Sequence, residues 1–152
     1  MRRNVHIRQD VADAMPKEEL FRQRLEKYYQ YPIQYNPDRF IIDFSLTDKQ
    51  KGIHGFIEIK CRKIRSDKYP TYFIGIRKWA WGVKYYEVTG IPFLVAFTFT
   101  DEVDAIYKYD PIDKPLYYYE HSGRTKKTRD NQDIAPVVHL PSRLFTIINK
   151  PK

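Results

Sequence analysis

Hydrophobic residues first recur at helical spacing between positions 20 and 28. The stripe consists of Leu20, Phe21, Leu25 and Tyr28. Such spacing places the apolar side chains on one face of a helix, with the charged residues between them turned elsewhere. Pro16 precedes the stripe and is followed by acidic residues, a pattern typical of a helix start. We therefore predict a helix from Pro16 to about Tyr29, after a polar arm of residues 1–14.

Two segments that follow this helix alternate between apolar and polar residues, as β-strands do. Along Arg39–Leu46, one face carries Phe40, Ile42 and Phe44. Along Gly55–Arg62, one face carries Ile57, Ile59 and Cys61. The opposite faces carry Asp43 in the first strand, and Glu58 and Lys60 in the second. A hairpin of the two strands is the natural pairing, and it would bring these three charged side chains to the same side.

The rest of the core combines one amphipathic helix with strongly apolar strands. Tyr72–Ile74 predicts a third strand. The helix would present to the sheet a face made of Ile76, Trp79, Ala80, Val83 and Tyr86. We expect it to stop at Gly90, before the nearly continuous apolar run Pro92–Phe99, which is typical of a central strand covered on both faces. Ala105–Tyr109 resembles a neighbouring strand, and a last strand is expected near Val137.

Length and composition predict one folded domain over residues 1–152. The chain is 42% hydrophobic and 16% aromatic, which is enough for a single core. We place that core at residues 16–109, followed by a basic loop and C-terminal extension over residues 110–152. Cys61 is the only cysteine, which excludes an intramolecular disulfide and a zinc site of paired cysteines. No segment is long and apolar enough for a bilayer, so we expect a soluble cytoplasmic protein without a membrane partner.

The net charge favours a polyanionic partner. Lysine and arginine total 27 against 19 acidic residues, giving a formal charge of +8. Such an excess favours nucleic acid, because phosphate contacts release counterions and charge steers association. A merely basic protein without a nucleic-acid partner is the alternative, so the charge alone does not decide the function.

Asp43, Glu58 and Lys60 form a chemically complete minimal site for phosphodiester hydrolysis. Two carboxylates on adjacent strands would converge on one hard cation, which prefers oxygen ligands. The cation would offset charge on the scissile phosphate and lower the pKa of a water molecule, while the lysine positions that water. The alternative is a solvated strand face with cross-strand salt bridges of small energy.

The residues Asp43 and then Glu58-Ile59-Lys60 resemble the signature of the PD-(D/E)XK nuclease superfamily. Ile42 stands where the name of the family has proline, but the catalytic groups are all present. The order of elements over residues 16–109 is also similar to the core of that family. The resemblance implies an α/β, restriction-endonuclease-like fold in which helices flank a central mixed β-sheet.

The resemblance also implies roles for individual residues. Asp43 and Glu58 would bind Mg²⁺ or Mn²⁺, with the backbone carbonyl of Ile59 in the metal shell. Lys60 would orient and activate water, and attack would leave a 5′-phosphate. Glu18 on the first helix would add an outer metal contact, with Glu19 as the substitute; both acidic residues are equally typical of a first helical turn, where they stabilise the helix dipole.

Basic residues in loops are suited to phosphate contacts without base recognition. The candidates are Arg62, Lys63, Arg65, Arg124, Lys126, Lys127 and Arg129. Lys78 stands where related nucleases place a polar or basic residue near the scissile phosphate. Lys78, Trp81 and Tyr85 share the helix face opposite the core stripe, which would be a stacking surface, a subunit interface or an amphipathic exterior.

Together these features predict a metal-dependent DNA nuclease, by resemblance a structure-selective endonuclease of the phage or Holliday-junction-resolving type. Resolvases act as symmetric dimers, because two strands must be cut in register, so a homodimer is the expected assembly. We place the protein in a bacterial cell or phage-infected host. The main alternative is a non-catalytic module that binds single-stranded DNA or RNA by stacking and charge. A structural protein of a larger assembly is a third possibility.

Overall fold

A six-stranded sheet separates two hydrophobic layers of the protein. The computed structural model describes the backbone of residues 9–123 and 134–149, with side chains described over residues 16–121 and 135–149. The sheet contains, in spatial order, β1 (Ile33–Tyr35), β2 (Phe44–Thr47), β3 (Ile53–Cys61), β5 (Phe93–Thr98), β6 (Asp104–Lys108) and β9 (Thr146–Asn149). Since both parallel and antiparallel pairs occur in it, the predicted central mixed sheet is confirmed.

A second, three-stranded sheet packs over one face of the first. Its spatial order is β4 (Thr71–Gly75), β8 (Ile134–Pro141) and β7 (Tyr118–Gly123). The strands predicted at Tyr72–Ile74 and near Val137 therefore exist, and they pair with each other in antiparallel fashion. No local pattern indicated that they would leave the main sheet, because strand pairing joins segments far apart in sequence. Two short 3-10 helices, Pro111–Leu116 and Ser142–Leu144, complete the described elements.

One helix covers each face of the main sheet. The helix α1 (Gln9–Tyr29) buries Phe21 and Leu25 in the layer on one side, and α2 (Ile76–Thr89) buries Trp79 in the layer on the other. The predicted end of α1 is confirmed, but the helix begins at Gln9 rather than at Pro16. An interior proline removes one backbone hydrogen bond and crowds the carbonyl four residues earlier, but α1 continues through Pro16. Within the described ranges, neither helix combines the length and apolar character needed to cross a membrane.

The hairpin that carries the candidate site is confirmed, with a correction to its first strand. The strands β2 and β3 pair antiparallel, but the predicted strand Arg39–Leu46 is reduced to Phe44–Thr47. The segment before it is held in an irregular path by Asn36, whose side-chain amide donates to the Ile42 carbonyl at 2.8 Å. In consequence Ile42 packs in the α2 layer and Phe44 in the α1 layer, so the prediction that they share one face is wrong.

The strand β3 follows its predicted alternation. Ile57, Ile59 and Cys61 pack in the α1 layer, and the side chains of Glu58 and Lys60 lie on the α2 side. All six residues of β5 are buried, which confirms the predicted central strand, and β6 lies beside it as expected. The two sides of β3 are therefore chemically different, with an apolar side under α1 and a charged position under α2.

The helix α2 ends where the sequence predicts, and a glycine within it allows close packing against the sheet. It ends as predicted at Gly90, which adopts the left-handed conformation with φ of 75° and donates its N–H to the Tyr86 carbonyl. Ala80, predicted on the buried face, is instead exposed. The closest contact is at Gly82, where an added Cβ would lie 2.2 Å from the Phe93 ring carbon Cζ. The small residue therefore sets the distance between α2 and β5.

Gly82→Ala is expected to destabilise the protein by about 1–3 kcal/mol, because the methyl group would overlap the Phe93 ring and outweigh the helix propensity that alanine adds. Urea unfolding of the two proteins measures the difference. Phe93→Leu makes room at this contact, so the same glycine substitution should cost much less when it is combined with Phe93→Leu. A stability gain from Gly82→Ala in the natural background would contradict the close approach.

Candidate active site

Four charged side chains meet between β3 and the start of α2. Asp43 immediately precedes β2, Glu58 and Lys60 lie on β3, and Lys78 lies in the first turn of α2. Antiparallel pairing of β2 with β3 brings Asp43 beside Glu58, and the turn from β4 into α2 brings Lys78 over both. The three residues predicted from the hairpin are thus gathered in one place, with a second lysine added to them.

Glu58 is the most unusual member of the group, because it is a carboxylate that is 0% exposed. Neither of its oxygens has a hydrogen-bond partner of good geometry within the described residues. Lys60 Nζ lies 3.2 Å from Oε2 and Lys78 Nζ lies 3.6 Å from Oε1. Burial raises the pKa of Glu58; the Lys60 charge opposes this, the Asp43 charge adds to it, and the Lys78 charge opposes it. A buried acceptor of this kind suits a cation that brings its charge into the site.

Lys78 bridges the two carboxylates. Its ammonium nitrogen lies 2.9 Å from Asp43 Oδ1 and 3.6 Å from Glu58 Oε1. A single positive charge therefore contacts both acids, which shows that their oxygens lie close enough for one cation to reach. We predicted Lys78 only as a phosphate contact, because no local pattern links it to a carboxylate 35 residues away in sequence.

The backbone of β3 is open on the side of Asp43. Phe56 and Arg62 both donate their N–H groups to backbone carbonyls on the β5 side. By the alternation of a strand, Ile59 directs its carbonyl toward the opposite edge. Pairing of β3 with β2 ends at Ile57, so none of the described strands pairs with this edge at Ile59. The carbonyl therefore faces the region where Asp43 precedes β2.

These residues fit a divalent metal ion. The donor set consists of two carboxylates and one available carbonyl, all of them hard oxygen ligands, and a buried carboxylate without a well-formed hydrogen bond is present to receive the charge. Within the described part of the chain, no group of three or more His, Cys, Asp or Glu side chains is arranged to hold a metal. The remaining coordination positions would thus fall to water and substrate, as is usual for Mg²⁺.

The two helix carboxylates interact with different groups. Burial raises the pKa of the Cys61 thiol on the α1 side of β3, and the charge of Glu18 adds to that increase. Glu19, the substitute candidate, receives two hydrogen bonds from Arg22, at 2.5 and 3.0 Å. An outer metal contact from Glu18 stays a prediction.

The basic residues predicted for phosphate contact differ in their surroundings. Arg62 is partly buried, donates to the Phe73 carbonyl at 2.5 Å and lies over the Phe73 ring. Its described contacts are therefore structural. Lys63 is exposed, and Arg65 is exposed but paired with Asp67 at 3.1 Å. The other candidates, Arg124, Lys126, Lys127 and Arg129, lie outside the described residues.

The outer face of α2 is less uniform than the helical pattern indicates. Trp81 is 44% exposed, as expected for a surface position. Tyr85 instead stacks on Phe40, with 4.6 Å between the ring centres, and packs against the α2 layer. Its assignment to a face opposite the core is therefore wrong, since the irregular segment before β2 folds over that side of the helix. Only part of the predicted aromatic face remains open.

Comparisons with known proteins identify the family. The model of the family described as "Phage putative PDDEXK endonuclease" matches residues 6–148. Among curated proteins, none is similar enough in sequence to be matched. Among solved structures, the fold is similar to that of Archaeoglobus fulgidus Hjc, a Holliday junction resolvase from an archaeal hyperthermophile. The TM-score is 0.51 at 13% sequence identity, and the match covers 87% of this chain and 92% of that chain.

The structural likeness confirms the predicted restriction-endonuclease-like fold. The family match confirms the resemblance first inferred from Asp43 and from Glu58-Ile59-Lys60. PD-(D/E)XK nucleases generally use divalent metals, in keeping with the oxygen donors gathered between β3 and α2. Because the match spans nearly the whole sequence, the chain belongs to this family of phage PDDEXK endonucleases.

Proposed function

We propose that the protein is a Mg²⁺- or Mn²⁺-dependent endonuclease that cuts DNA at branched structures. The observation that carries the proposal is the fully buried Glu58 carboxylate beside Asp43, with the ammonium groups of Lys60 and Lys78 3.2 and 3.6 Å from its oxygens. A buried carboxylate without well-formed hydrogen bonds is costly to keep ionised. A role in binding a catalytic cation explains why an acid stands at this buried position.

Each residue has a definite task in this proposal. Asp43, Glu58 and the Ile59 carbonyl would hold the metal, and Glu18 would add an outer contact. The metal supplies charge that offsets the scissile phosphate and lowers the pKa of a nearby water molecule. Lys60 donates a hydrogen bond to the attacking water and stabilises it as it loses its proton. The bond from phosphorus to the 3′ oxygen breaks as the bond to the water oxygen forms. The proton of the attacking water passes to solvent and the leaving oxygen takes one up from solvent, so the products are a 3′-hydroxyl and a 5′-phosphate.

Lys78 would leave the carboxylates when the metal enters and move to the scissile phosphate. In the structure the Lys78 ammonium lies beside Asp43 and offsets its negative charge, as a bound metal ion would do. A lysine side chain is long and flexible enough for such an exchange. The exposed Lys63 and Arg65, together with the basic sequence Arg124–Arg129, would contact phosphates along the DNA backbone.

Selectivity for branched DNA and a homodimeric assembly are both part of the proposal. The similar fold of Hjc, itself a Holliday junction resolvase, supports the first. A junction has two strands to be cut in register, which a symmetric dimer achieves with two identical sites. The formal charge of +8 supports binding to DNA. The phage family suggests action inside an infected bacterial cell.

The test is cleavage of labelled duplex, single-stranded, flap and four-way-junction DNA, with Mg²⁺, with Mn²⁺ and with a chelator. We expect internal cuts that require a divalent metal and that are faster on branched substrates than on linear duplex. Products should carry a 5′-phosphate that a ligase can seal. Tight binding without cutting under either metal would favour the alternative of a non-catalytic binding module, and no salt-dependent binding at all would favour a structural protein.

Lys78→Met is expected to tighten Mg²⁺ binding by about tenfold, because it removes a positive charge that now contacts both proposed metal ligands. Calorimetric titration of Mg²⁺ in the absence of DNA measures the affinity without relying on activity. Arg77→Met is the matched control, since it removes an exposed charge from the neighbouring position of the same helix. Unchanged or weaker Mg²⁺ binding in the Lys78 variant would show that this ammonium does not occupy the metal position.

A further inference from the structure

We propose that the outer face of the three-stranded sheet stacks the bases of an unpaired DNA strand as it leaves the active site. The surface is a row of three rings, Phe73 on β4, His139 on β8 and Tyr118 on β7, called here the aromatic row. The inference rests on the proposed function for the identity of the polymer. It goes further by assigning a second binding surface, with its own chemistry, outside the catalytic group.

The aromatic row is continuous across the sheet. Strand pairing places Phe73 opposite His139, and His139 opposite Tyr118. The rings of Phe73 and His139 have centres 5.6 Å apart, and those of His139 and Tyr118 are stacked at 4.4 Å with only 5° between their planes. The neighbouring residues Val138 and Leu140 point the other way, into the core. The rings therefore stand on the face of the sheet that the core does not use.

The row begins at the active site. The Arg62 guanidinium, two residues after Lys60, lies over the Phe73 ring at 4.7 Å. The strand that carries Phe73 runs directly into α2, whose first turn carries Lys78. A DNA strand held at the catalytic group would thus meet the Phe73 end of the row first and Tyr118 at its far end.

Polar contacts hold the row in place before any ligand arrives. The Thr71 hydroxyl and His139 Nδ1 lie 2.8 Å apart in a hydrogen bond, and His139 Nε2 lies 2.6 Å from Glu120 Oε1. The Nδ1 contact is a hydrogen bond, whereas Nε2 has no hydrogen bond of good geometry within the described residues. The ring is largely buried. Tyr118 covers one side of it and is itself 47% exposed. A ring that is already aligned in a stack loses little conformational entropy when another ring is added to it.

An unpaired DNA strand is the occupant that these features favour. A nucleobase offers a flat face to a tyrosine ring, and such stacking tolerates any sequence. Bases inside a duplex are stacked on each other and do not offer that face, so the row would distinguish an unpaired strand from a duplex. The net charge of +8 and the adjacent phosphate-cutting group favour a nucleic acid over a protein partner. The Glu120 carboxylate contacts the histidine ring.

The experiment compares Tyr118→Ala with Tyr119→Ala in binding assays. Tyr119 is a matched control because it is also a tyrosine on β7, is 58% exposed, and pairs opposite the inward-facing Val138, on the other face of the sheet. Fluorescence anisotropy with a labelled single-stranded oligonucleotide and with a duplex, in chelator, gives the dissociation constants without cleavage. An oligonucleotide containing 2-aminopurine reports stacking directly, through quenching of its fluorescence.

We expect Tyr118→Ala to weaken single-strand binding roughly 5- to 100-fold, the range for loss of one stacked base. Duplex binding and the salt dependence of affinity should stay unchanged, because no phosphate contact is lost. Tyr118→Phe should bind as the natural protein does, whereas Tyr118→Leu, which keeps much of the volume without the aromatic ring, should bind as the alanine variant does. Quenching of 2-aminopurine should be reduced only in the alanine and leucine variants.

Equal single-strand affinity in the Tyr118→Ala variant and the natural protein would overturn the inference, as would an equal loss in the Tyr119→Ala variant. An equal loss for duplex and single strand would also overturn it, since it would indicate a general phosphate surface. These outcomes are separate from the proposed function. If the protein cuts branched DNA but Tyr118 does not contribute to single-strand binding, only the proposed role of the aromatic row is refuted. If the protein binds single strands through Tyr118 but does not cut DNA, only the proposed nuclease activity is refuted.

Discussion

Lys60→Ala is expected to lose metal-dependent DNA cleavage by on the order of 10³-fold or more, the scale observed when a group that stabilises developing charge is removed. Lys60 Nζ lies 3.2 Å from the Glu58 carboxylate, in position to act on a water molecule next to the proposed metal. Single-turnover cleavage of the preferred branched substrate at saturating Mg²⁺ measures the chemical step. The dissociation constant for the same DNA should change by less than about threefold, because one phosphate contact at most is lost.

Two further variants separate charge from position. Lys108→Ala removes an exposed lysine on β6 that has no role in the proposed site, so it should retain cleavage within a small factor. Lys60→Arg keeps the positive charge but replaces a compact ammonium with a planar group, and it should recover little of the lost rate. If Lys60→Ala cut DNA at the natural rate, the water-activating role of this residue would be refuted, although a metal role for the carboxylates would remain.

Glu58→Gln is expected to abolish cleavage and, at the same time, to stabilise the fold by about 1–2 kcal/mol near pH 7.5. Natural proteins carry residues that destabilise the fold at positions where function needs them. The glutamate is fully buried and lacks hydrogen bonds of good geometry. A neutral amide of the same shape avoids the cost of burying the charge, which outweighs the loss of contact with Lys60 and Lys78. Thermal unfolding in metal-free buffer measures the effect.

The pH dependence of this gain has a definite sign. Burial raises the pKa of Glu58 in the folded chain above its ordinary value near 4.5. The stability contributed by the protonated acid is fully present below that ordinary value and is lost as pH rises through the raised one. The advantage of Glu58→Gln should therefore grow with pH and shrink in acid. A variant less stable than the natural protein at neutral pH would show that the ion pairs outweigh the burial.

The stabilisation that Mg²⁺ gives tests the Glu58→Gln variant independently. When the free Mg²⁺ concentration is a hundred times the dissociation constant, Mg²⁺ raises the free energy of unfolding of a protein that binds it by about 2.7 kcal/mol. The natural protein should gain this stability and Glu58→Gln should not. Asp43→Asn is the control: it should also lose the response to Mg²⁺, but without the gain in metal-free stability, since Asp43 is only partly buried.

The energetic conflict at Glu58 also explains the arrangement around it. Two lysines reach the carboxylates from different elements, Lys60 from β3 and Lys78 from α2. In the structure they place two positive charges beside the buried and partly buried carboxylates.

Local patterns in the sequence were sufficient for the elements that carry the site. Alternation along β3 separated Glu58 and Lys60 from the apolar face, and Gly90 marked the end of α2. These features depend on backbone geometry within a few residues, which repeats with a fixed period in helices and strands. The spacing of Asp43 from Glu58-Ile59-Lys60, together with the order of elements over residues 16–109, likewise indicated the family, which the family match then confirmed.

Contacts between distant segments were decided only by the tertiary structure. The side chain of Asn36 bends the segment before β2, so that Ile42 and Phe44 face opposite layers. The turn from β4 into α2 brings Lys78 into contact with both carboxylates. Arg62 donates to the Phe73 carbonyl, so its guanidinium is engaged within the protein. The second sheet, which aligns the aromatic row, joins strands far apart in the chain. Sequence periodicity shows which side of an element is apolar, but which partner lies against that side depends on the packing of the whole fold.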